Sequence, residues 1–443
     1  MLVDFSVGNF LSFSDKQTLS FEPDTKVKGL EDYYYISISD KDKQRKSINL
    51  LKIGMIYGAN ASGKSNFLKA LNYLKIIALK AKTEKNTLLK FVPFELDYSK
   101  KSTMEVNFIY SQTKYNYKIE FNTKSILYEE LNEYPYLTAG KSKNVYTRTT
   151  DEQKQIPNII FGKSQKVDSL ILKQLNIVTL WNETVLAGFS KISADIPALR
   201  AASAWFKYYL NDLFPPQTPL DLISTVFIDD NLIKVESVVN ALKRADFNIS
   251  GISIDRKRPV RDYLQEILDS FDEEQRLPIK VDVLDEISSS SIPRILIKHK
   301  TDQKEFVLPY KHESDGTKRY FGLIGVLMHL SLFNEFMMID ELEMSLHPDL
   351  YEAFIISFLK NVRSSQLLFT THNREFLQKK HVIRRDALWI ANKQDNGATE
   401  MYSVADFGSS VIRDTTSIYN AYSVGKLGGV PKNASDLLFY VEG

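Results

Sequence analysis

Cysteine is absent from all 443 residues. Its absence excludes disulfides, a thiol nucleophile and a cysteine-ligated zinc site. No apolar run is long enough to span a bilayer. The N-terminal Met1-Leu2-Val3-Asp4-Phe5-Ser6-Val7 alternates like a strand, where a secretory signal would place a basic region and then an apolar core. Cytoplasmic residence without membrane contact is therefore the expectation. Neither charge sign dominates: 57 Lys and Arg stand against 55 Asp and Glu, for a net charge of +2. Such a balance does not announce a nucleic-acid binder. Nuclease signatures are missing as well, with no H-N-H cluster, no histidine metal spacing and no D-x-D acidic array with its own scaffold. What remains, 43% hydrophobic and 25% charged residues, describes a globular chain too long for one ordinary core, so two or three modules are expected.

The strongest positive signal is Gly58-Ala59-Asn60-Ala61-Ser62-Gly63-Lys64-Ser65, which matches the phosphate-loop pattern G-x-x-x-x-G-K-[S/T]. The apolar run Leu50-Leu51-Lys52-Ile53-Gly54-Met55-Ile56-Tyr57 precedes it and reads as a buried strand. Behind it, Phe67, Leu68, Ala70, Leu71 and Leu74 recur at helical spacing. A chance glycine-rich turn would not carry both flanks. The glycines admit phosphate to the backbone, and the helix N-terminus favours anions. Lys64 is expected to neutralise the β- and γ-phosphates and Ser65 to ligate Mg²⁺.

The partners of this loop lie far away in sequence. Phe336-Met337-Met338-Ile339 reads as a buried strand that delivers Asp340-Glu341 at its end. In that setting Asp340 would hold Mg²⁺ and Glu341 would polarise the attacking water. A second strand, Gln366-Leu367-Leu368-Phe369-Thr370-Thr371, ends at His372, placed to touch a terminal phosphate. The third element is Glu313-Ser314-Asp315-Gly316-Thr317-Lys318-Arg319, followed by an apolar helical pattern with Ser314 as N-cap. A polar cluster at a helix start is a second anion site, and two such sites in one chain imply that Ser314 and Gly316 act in trans across a dimer. Asp315 is expected to turn away from the phosphate, toward Lys318 or Arg319. Ser345-Leu346-His347-Pro348 follows soon after Asp340-Glu341, with Pro348 suited to the first turn of a helix over 349–359.

Between these ends the pattern changes twice. Strands are expected at 2–7, 17–21 and 33–38, with a charged hairpin tip over 40–46. A β-meander follows, in which Met104, Val106, Phe108 and Tyr110, then Tyr115, Tyr117, Ile119 and Phe121, alternate with polar residues, with another strand at 127–131. From about Ser164 helices are expected at 169–175, at 196–213 up to Pro215-Pro216, along the Leu232, Ile233, Val235, Val238, Val239 and Leu242 stripe, and over 262–274. Ser288-Ser289-Ser290-Ser291 marks a connection back to strands at 294–300 and 305–308. The resulting division is 1–95 for a first lobe, 96–135 for the meander, 136–293 for a mainly helical insert, 294–405 for a second lobe and 406–443 for a tail. Basic clusters at Arg256-Lys257-Arg258 with Arg261, at Lys298-His299-Lys300 and at Lys379-Lys380-His381 with Arg384-Arg385 read first as solvated faces, with nucleic-acid contact as the alternative.

The order phosphate loop, Ser-Asp-Gly, Asp-Glu, Ser-Leu-His-Pro and Thr-Thr-His resembles the ABC-type ATPase heads, including SMC-type and RecF-like repair ATPases. Asn9-Phe10-Leu11-Ser12-Phe13, Asn66 after the loop, Asn373 after His372 and Gly425-Lys426-Leu427-Gly428-Gly429-Val430-Pro431 extend the likeness. It is nearer to the bacterial ABC-like AAA-type ATPases related to OLD (overcoming lysogenization defect) proteins. Those include the ATPase subunits of abortive-infection and PARIS-like anti-phage systems. The resemblance implies an α/β fold: an ABC-type P-loop head with a mixed sheet, flanking helices and an antiparallel β subdomain, carrying a mostly helical insert. It also implies ATP and Mg²⁺ as cofactors and a homodimer or higher homo-oligomer. A separate effector subunit of TOPRIM nuclease type is implied too, with DNA or a phage-encoded trigger as a further partner. Two features depart from the pattern: the stretch Phe91-Val92-Pro93-Phe94 lacks the glutamine that senses Mg²⁺ in many ABC heads, and Asp315 stands where many carry glycine.

Asn392-Lys393-Gln394-Asp395 matches the guanine-reading N-K-x-D of GTPases, but Asn396-Gly397 follows at once and a β-hairpin turn explains the composition. The leading expectation is an ATPase that senses or scaffolds in anti-phage defence and controls a separate nuclease. Repair or chromosome work directly on DNA is the alternative, and an ATP-binding assembly protein without turnover is a third. The closing Leu437-Leu438-Phe439-Tyr440-Val441-Glu442-Gly443 resembles the opening of a TOPRIM domain, and reads first as a final strand of the head.

Overall fold

The computed structural model describes residues 1–40, 42, 47–137, 140–229, 231–245, 248–259, 291–301, 304–408 and 417–430. Most of the 40–46 tip lies outside them, as do the expected helix over 262–274, Arg261, residues 288–290, Pro431 and the closing 437–443 run. Two compact units divide the chain. The first comprises Met1–Asn211, Glu335–Met338 and Gln366–Gly443, and the second Asp212–Asn334 and Ile339–Ser365.

In the first unit a seven-stranded antiparallel sheet runs in the order β10-β9-β8-β7-β6-β1-β2. Its strands are β1 (Leu2–Gly8), β2 (Gln17–Ser20), β6 (Ser102–Tyr110), β7 (Thr113–Phe121), β8 (Ile126–Tyr134), β9 (Lys143–Asp151) and β10 (Ile156–Phe161). The alternation expected for β6 appears as burial, with Met104, Val106 and Phe108 inside. β9 and β10 fall in the stretch expected to be mainly helical. Their Thr- and Asn-rich sequence shows little apolar alternation, and pairing along β8 decides their form. Glu129 on β8 is fully buried and accepts from the Tyr117 and Tyr146 hydroxyls at 2.9 and 2.6 Å and from the Val185 N–H at 2.8 Å. β3 (Tyr35–Ile38) and β4 (Ile48–Leu51) form a separate ribbon.

Residues 33–38 do not form one strand. Glu31–Tyr34 is a single helical turn, because the buried Tyr34 donates its hydroxyl to the Val382 carbonyl at 2.6 Å and so must leave the line of the strand. The helix expected over 196–213 is likewise shorter. Pro197–Ala204 is α-helical and Trp205–Tyr209 forms a wider turn, after which the chain extends into β11 (Leu210–Phe214), which leads toward the second unit. Trp205 stacks on Phe108 with ring centroids 4.3 Å apart, so packing on the meander overrides the helical period.

The core of this unit is a parallel sheet in which β15 (Phe336–Ile339), β16 (Gln366–Thr371), β5 (Ile53–Tyr57) and β17 (Leu388–Lys393) are neighbours in that order, edged by antiparallel β18 (Thr399–Ser403). β5 and β16 bury every residue, as parallel strands covered on both faces do. Tyr57 is in register with Thr371 on one side and Ile390 on the other, so β5 and β16 end level with each other while β17 continues to Lys393.

In the second unit, β12 (Ile249–Pro259), β13 (Ser291–Lys300) and β14 (Glu305–Pro309) make a three-stranded antiparallel sheet. Val238 and Leu242, from the helix Val235–Arg244, share a core with Ile297, Phe321 and Ile324. The apolar stripe read from sequence is therefore packing surface within this unit. Leu232 stays exposed outside that helix.

Candidate active site

The phosphate loop leaves β5 and enters the helix Lys64–Leu79. Gly63 is the residue before that helix, at φ +101°, a conformation L side chains rarely adopt. A Cβ there would lie 2.1 Å from Thr399 Oγ1. Ala61 also has positive φ, at +60°. Lys64 is buried and its ammonium donates to the Gly58 and Ala59 carbonyls at 2.9 and 3.0 Å. The cation is thus held across the mouth of the loop beside a helix N-terminus, a cradle that suits polyphosphate. Ser65 and Asn66 occupy the first turn of that helix. Ser65 offers a hydroxyl oxygen, a donor type that suits a hard cation such as Mg²⁺.

A brace that sequence reading missed holds this loop from behind. Thr399 donates its hydroxyl to the Ser62 carbonyl at 2.8 Å and lies 2.8 Å from Ser12 Oγ. Asn66 Nδ2 donates to the same Ser12 Oγ at 2.9 Å. The turn that carries Ser12 is also tied to the stretch without a glutamine: Leu11 N–H donates to the Val92 carbonyl at 2.8 Å, and Phe94 N–H to Asn9 Oδ1 at 3.1 Å. Phe10 stacks on Phe91 with rings 5.9 Å apart. Asn9-Phe10-Leu11-Ser12 therefore joins the Phe91-to-Phe94 stretch to the phosphate loop.

His372 and Arg374 follow β16 and are exposed. Together with Gly58, Ala59, Asn60 and Ser62 they line a cavity of about 640 Å³. Asn392, Lys393, Gln394 and Asp395 line it too, with Tyr422, Gly429 and Val430 from the C-terminal side. The N-K-x-D stretch thus faces the phosphate loop, but much of its polarity is engaged within the chain. Asn392 Oδ1 accepts from the Gly429 N–H at 3.0 Å, and the Gln394 amide donates to Glu400. Gly397, at φ +79°, makes the expected hairpin turn. Gly429 has φ +67°, and a Cβ on it would approach Ile390 Cγ2 to 2.7 Å. Tyr422 donates its hydroxyl to the Gly429 carbonyl at 2.9 Å, and burial pushes that hydroxyl up to about 12.

The remaining candidates belong to the second unit. Asp340 and Glu341 come directly after β15; Asp340 is buried, and its N–H donates to the Phe214 carbonyl at 2.9 Å. Glu341 has φ +49°, an uncommon conformation for a side chain of this kind. Its carbonyl accepts from Arg319 at 3.3 Å, and Arg319 also donates to the Pro216 carbonyl at 3.1 Å. Burial lowers the Arg319 guanidinium to about 10 against the opposing pull of Glu343 and Glu341, so it stays charged at neutral pH. Ser314 caps the helix Asp315–Leu332 by accepting from the Thr317 N–H at 3.1 Å. Asp315 is exposed and lies 3.8 Å from Lys318, turned as expected. A side chain at Gly316 would meet the Ser345 carbonyl at 3.0 Å, so the start of this helix lies against Ser345-Leu346-His347-Pro348. Pro348 occupies the first turn of Pro348–Asn361. Immediately before Ser314, Glu313 lies 2.7 Å from His299 on β13.

Comparison with known proteins adds a family. The family described as "AAA domain, putative AbiEii toxin, Type IV TA system" matches residues 54–181 and 217–377, well over half of the chain. No curated protein sequence matches. Among solved structures, the SMC head domain from Thermotoga maritima is 14% identical, covering 91% of this chain and 98% of its own, with a TM-score of 0.38. A SmcHead bound to the C-winged helix domain of ScpA is 13% identical, covering 91% and 97%, with a TM-score of 0.42.

Proposed function

The chain belongs to this AAA-domain family, and we propose that it is a Mg²⁺-dependent ATP hydrolase whose site is completed across a head-to-tail homodimer. In this reading Lys64 and the loop from Gly58 to Asn66 bind the phosphates. Ser65 and Asp340 hold Mg²⁺, which when bound neutralises charge between the β- and γ-phosphates. Glu341 orients and polarises the attacking water, and His372 contacts the terminal phosphate. Ser314 of the partner subunit and the partner's Gly316 supply the opposing anion site. The observation that carries the reading is the exposed, Ser314-capped N-terminus of an 18-residue helix in a chain that already owns a phosphate loop.

The Glu341→Gln variant tests the assignment: it should bind ATP, accumulate a dimer and turn over slowly. Hydrolysis at the wild-type rate would remove Glu341 from the role of base.

The biological reading is a cytoplasmic sensor and scaffold of anti-phage defence that controls a separate effector, of TOPRIM nuclease type by resemblance. The toxin–antitoxin description of the family supports this class. In that scheme residues 136–293 are the arm or partner module. Stable co-purification with a neighbouring gene product, and ATP turnover indifferent to DNA, are the expected results. DNA-stimulated turnover with steep salt dependence would favour direct action on DNA instead.

A further inference from the structure

The geometry points to Arg374 as a second cation for the terminal phosphate of the nucleotide, with Tyr422 as the residue that positions it. The inference rests on the reading of the Gly58-to-Ser65 loop as an ATP site and assigns a residue to that site.

Arg374 lies two residues beyond His372 and lines the same cavity as Gly58, Ala59 and Asn60. Among the described residues its guanidinium makes no ion pair with a carboxylate. What it has is a ring: its guanidinium carbon lies 5.9 Å from the centroid of Tyr422, within reach of a cation–π interaction. Tyr422 is 2% exposed and meets Tyr57 edge-on, with centroids 6.1 Å apart. Tyr57 is the last residue before the phosphate loop. The Tyr422 hydroxyl is fixed on the Gly429 carbonyl at 2.9 Å. The ring under the arginine is therefore anchored at both ends, to the strand that delivers the loop and to the glycine pair of the C-terminal segment.

An exposed arginine held on an anchored ring, lining a cavity with a loop built for phosphate and without a carboxylate partner among the described residues, is prepared for an anion. Its planar fork matches a phosphate bidentately. The outermost phosphate is the anion assigned to it, because Arg374 lies two residues beyond His372, given above to the terminal phosphate, and lines the same cavity. A diphosphate held by Lys64 and the helix N-terminus alone would not require it.

The test uses the full chain and measures affinity for a non-hydrolysable ATP analogue and for ADP in parallel. Arg374→Ala should weaken the analogue by about tenfold or more, the scale of one charge-assisted hydrogen bond, and leave ADP within about twofold. Arg374→Lys should recover part of the loss. Tyr422→Leu should reproduce the selective loss and raise KM for ATP more than it lowers kcat, whereas Tyr422→Phe, which keeps the ring and loses only the bond to the Gly429 carbonyl, should show a smaller selective loss than Tyr422→Leu. Equal losses for the analogue and ADP, or no loss of either, would overturn the assignment while leaving the ATP-site reading intact. A wild-type chain that binds neither nucleotide would overturn both.

Discussion

Thr399 and Ser62 stand 337 positions apart in sequence and 2.8 Å apart in space, the threonine hydroxyl donating to the serine carbonyl. The contact fixes the back of the phosphate loop to the hairpin β17–β18. It also puts Ser12, which shares the same hydroxyl, under the first turn of the following helix.

Thr399→Val keeps the β-branched shape and removes the hydroxyl. The buried Ser62 carbonyl and Ser12 hydroxyl each lose a partner, so denaturant unfolding should show a loss of about 1–3 kcal/mol. Nucleotide affinity should fall with it, because the loop loses its brace. Unchanged affinity would mean that the loop holds its shape unaided.

Gly429→Ala places a methyl group 2.7 Å from Ile390 Cγ2 in a backbone that sits at φ +67°. Displacement of the C-terminal segment from Asn392 is the expected outcome. Titration with ATP should show weaker binding while the far-UV spectrum stays native.

Arg319→Met removes both donors, to the Pro216 and Glu341 carbonyls. The Glu341 turn, already at positive φ, loses the bond that holds it. Steady-state kinetics should show kcat down by about tenfold or more, the scale expected when a catalytic group is slightly misplaced. Affinity for ADP should be unaffected, since the phosphate loop belongs to the other unit.

Glu129→Gln leaves an amide group facing the Val185 N–H and unpairs donors in a buried cluster, at about 1–3 kcal/mol for each unsatisfied group. The wild-type carboxyl is raised above its ordinary range, first by burial. The folded state therefore keeps this proton where the unfolded chain, at about 4.3, has lost it. This group's contribution is most favourable at low pH, and stability declines as pH rises from the unfolded value through the raised folded value. Chemical denaturation across that window should show the decline in wild type and its loss in the variant.

How far the sequence reached follows from which interactions are local. The phosphate loop, the Ser314 cap and Pro348 at a helix start depend on neighbours within a few positions, and pattern alone placed them. The same holds for the apolar strands that end at Tyr57, Ile339 and Thr371. Thr399, Tyr422 and Arg374 were not found, because a lone threonine, tyrosine or arginine has no signature until the sheet brings it to the loop. Tyr33 and Tyr34 looked like strand because aromatics favour strands, and the Tyr34 hydroxyl bond to Val382 could not be seen in the sequence. Trp205 kept a helical period while its ring packed on Phe108 and the helix ended.

The central claim is that one chain does not complete its own ATP site, and mixing two inactive variants tests it most directly. Lys64→Ala disables the phosphate loop, and Ser314→Arg blocks the opposing helix N-terminus. Each should be inactive alone in a multiple-turnover phosphate-release assay. Mixed, they form heterodimers in which Lys64 of one protomer faces Ser314 of the other, and turnover should reappear. If the mixture stays as inactive as its components while wild type hydrolyses ATP, the site is complete within one chain and the head-to-tail account is wrong.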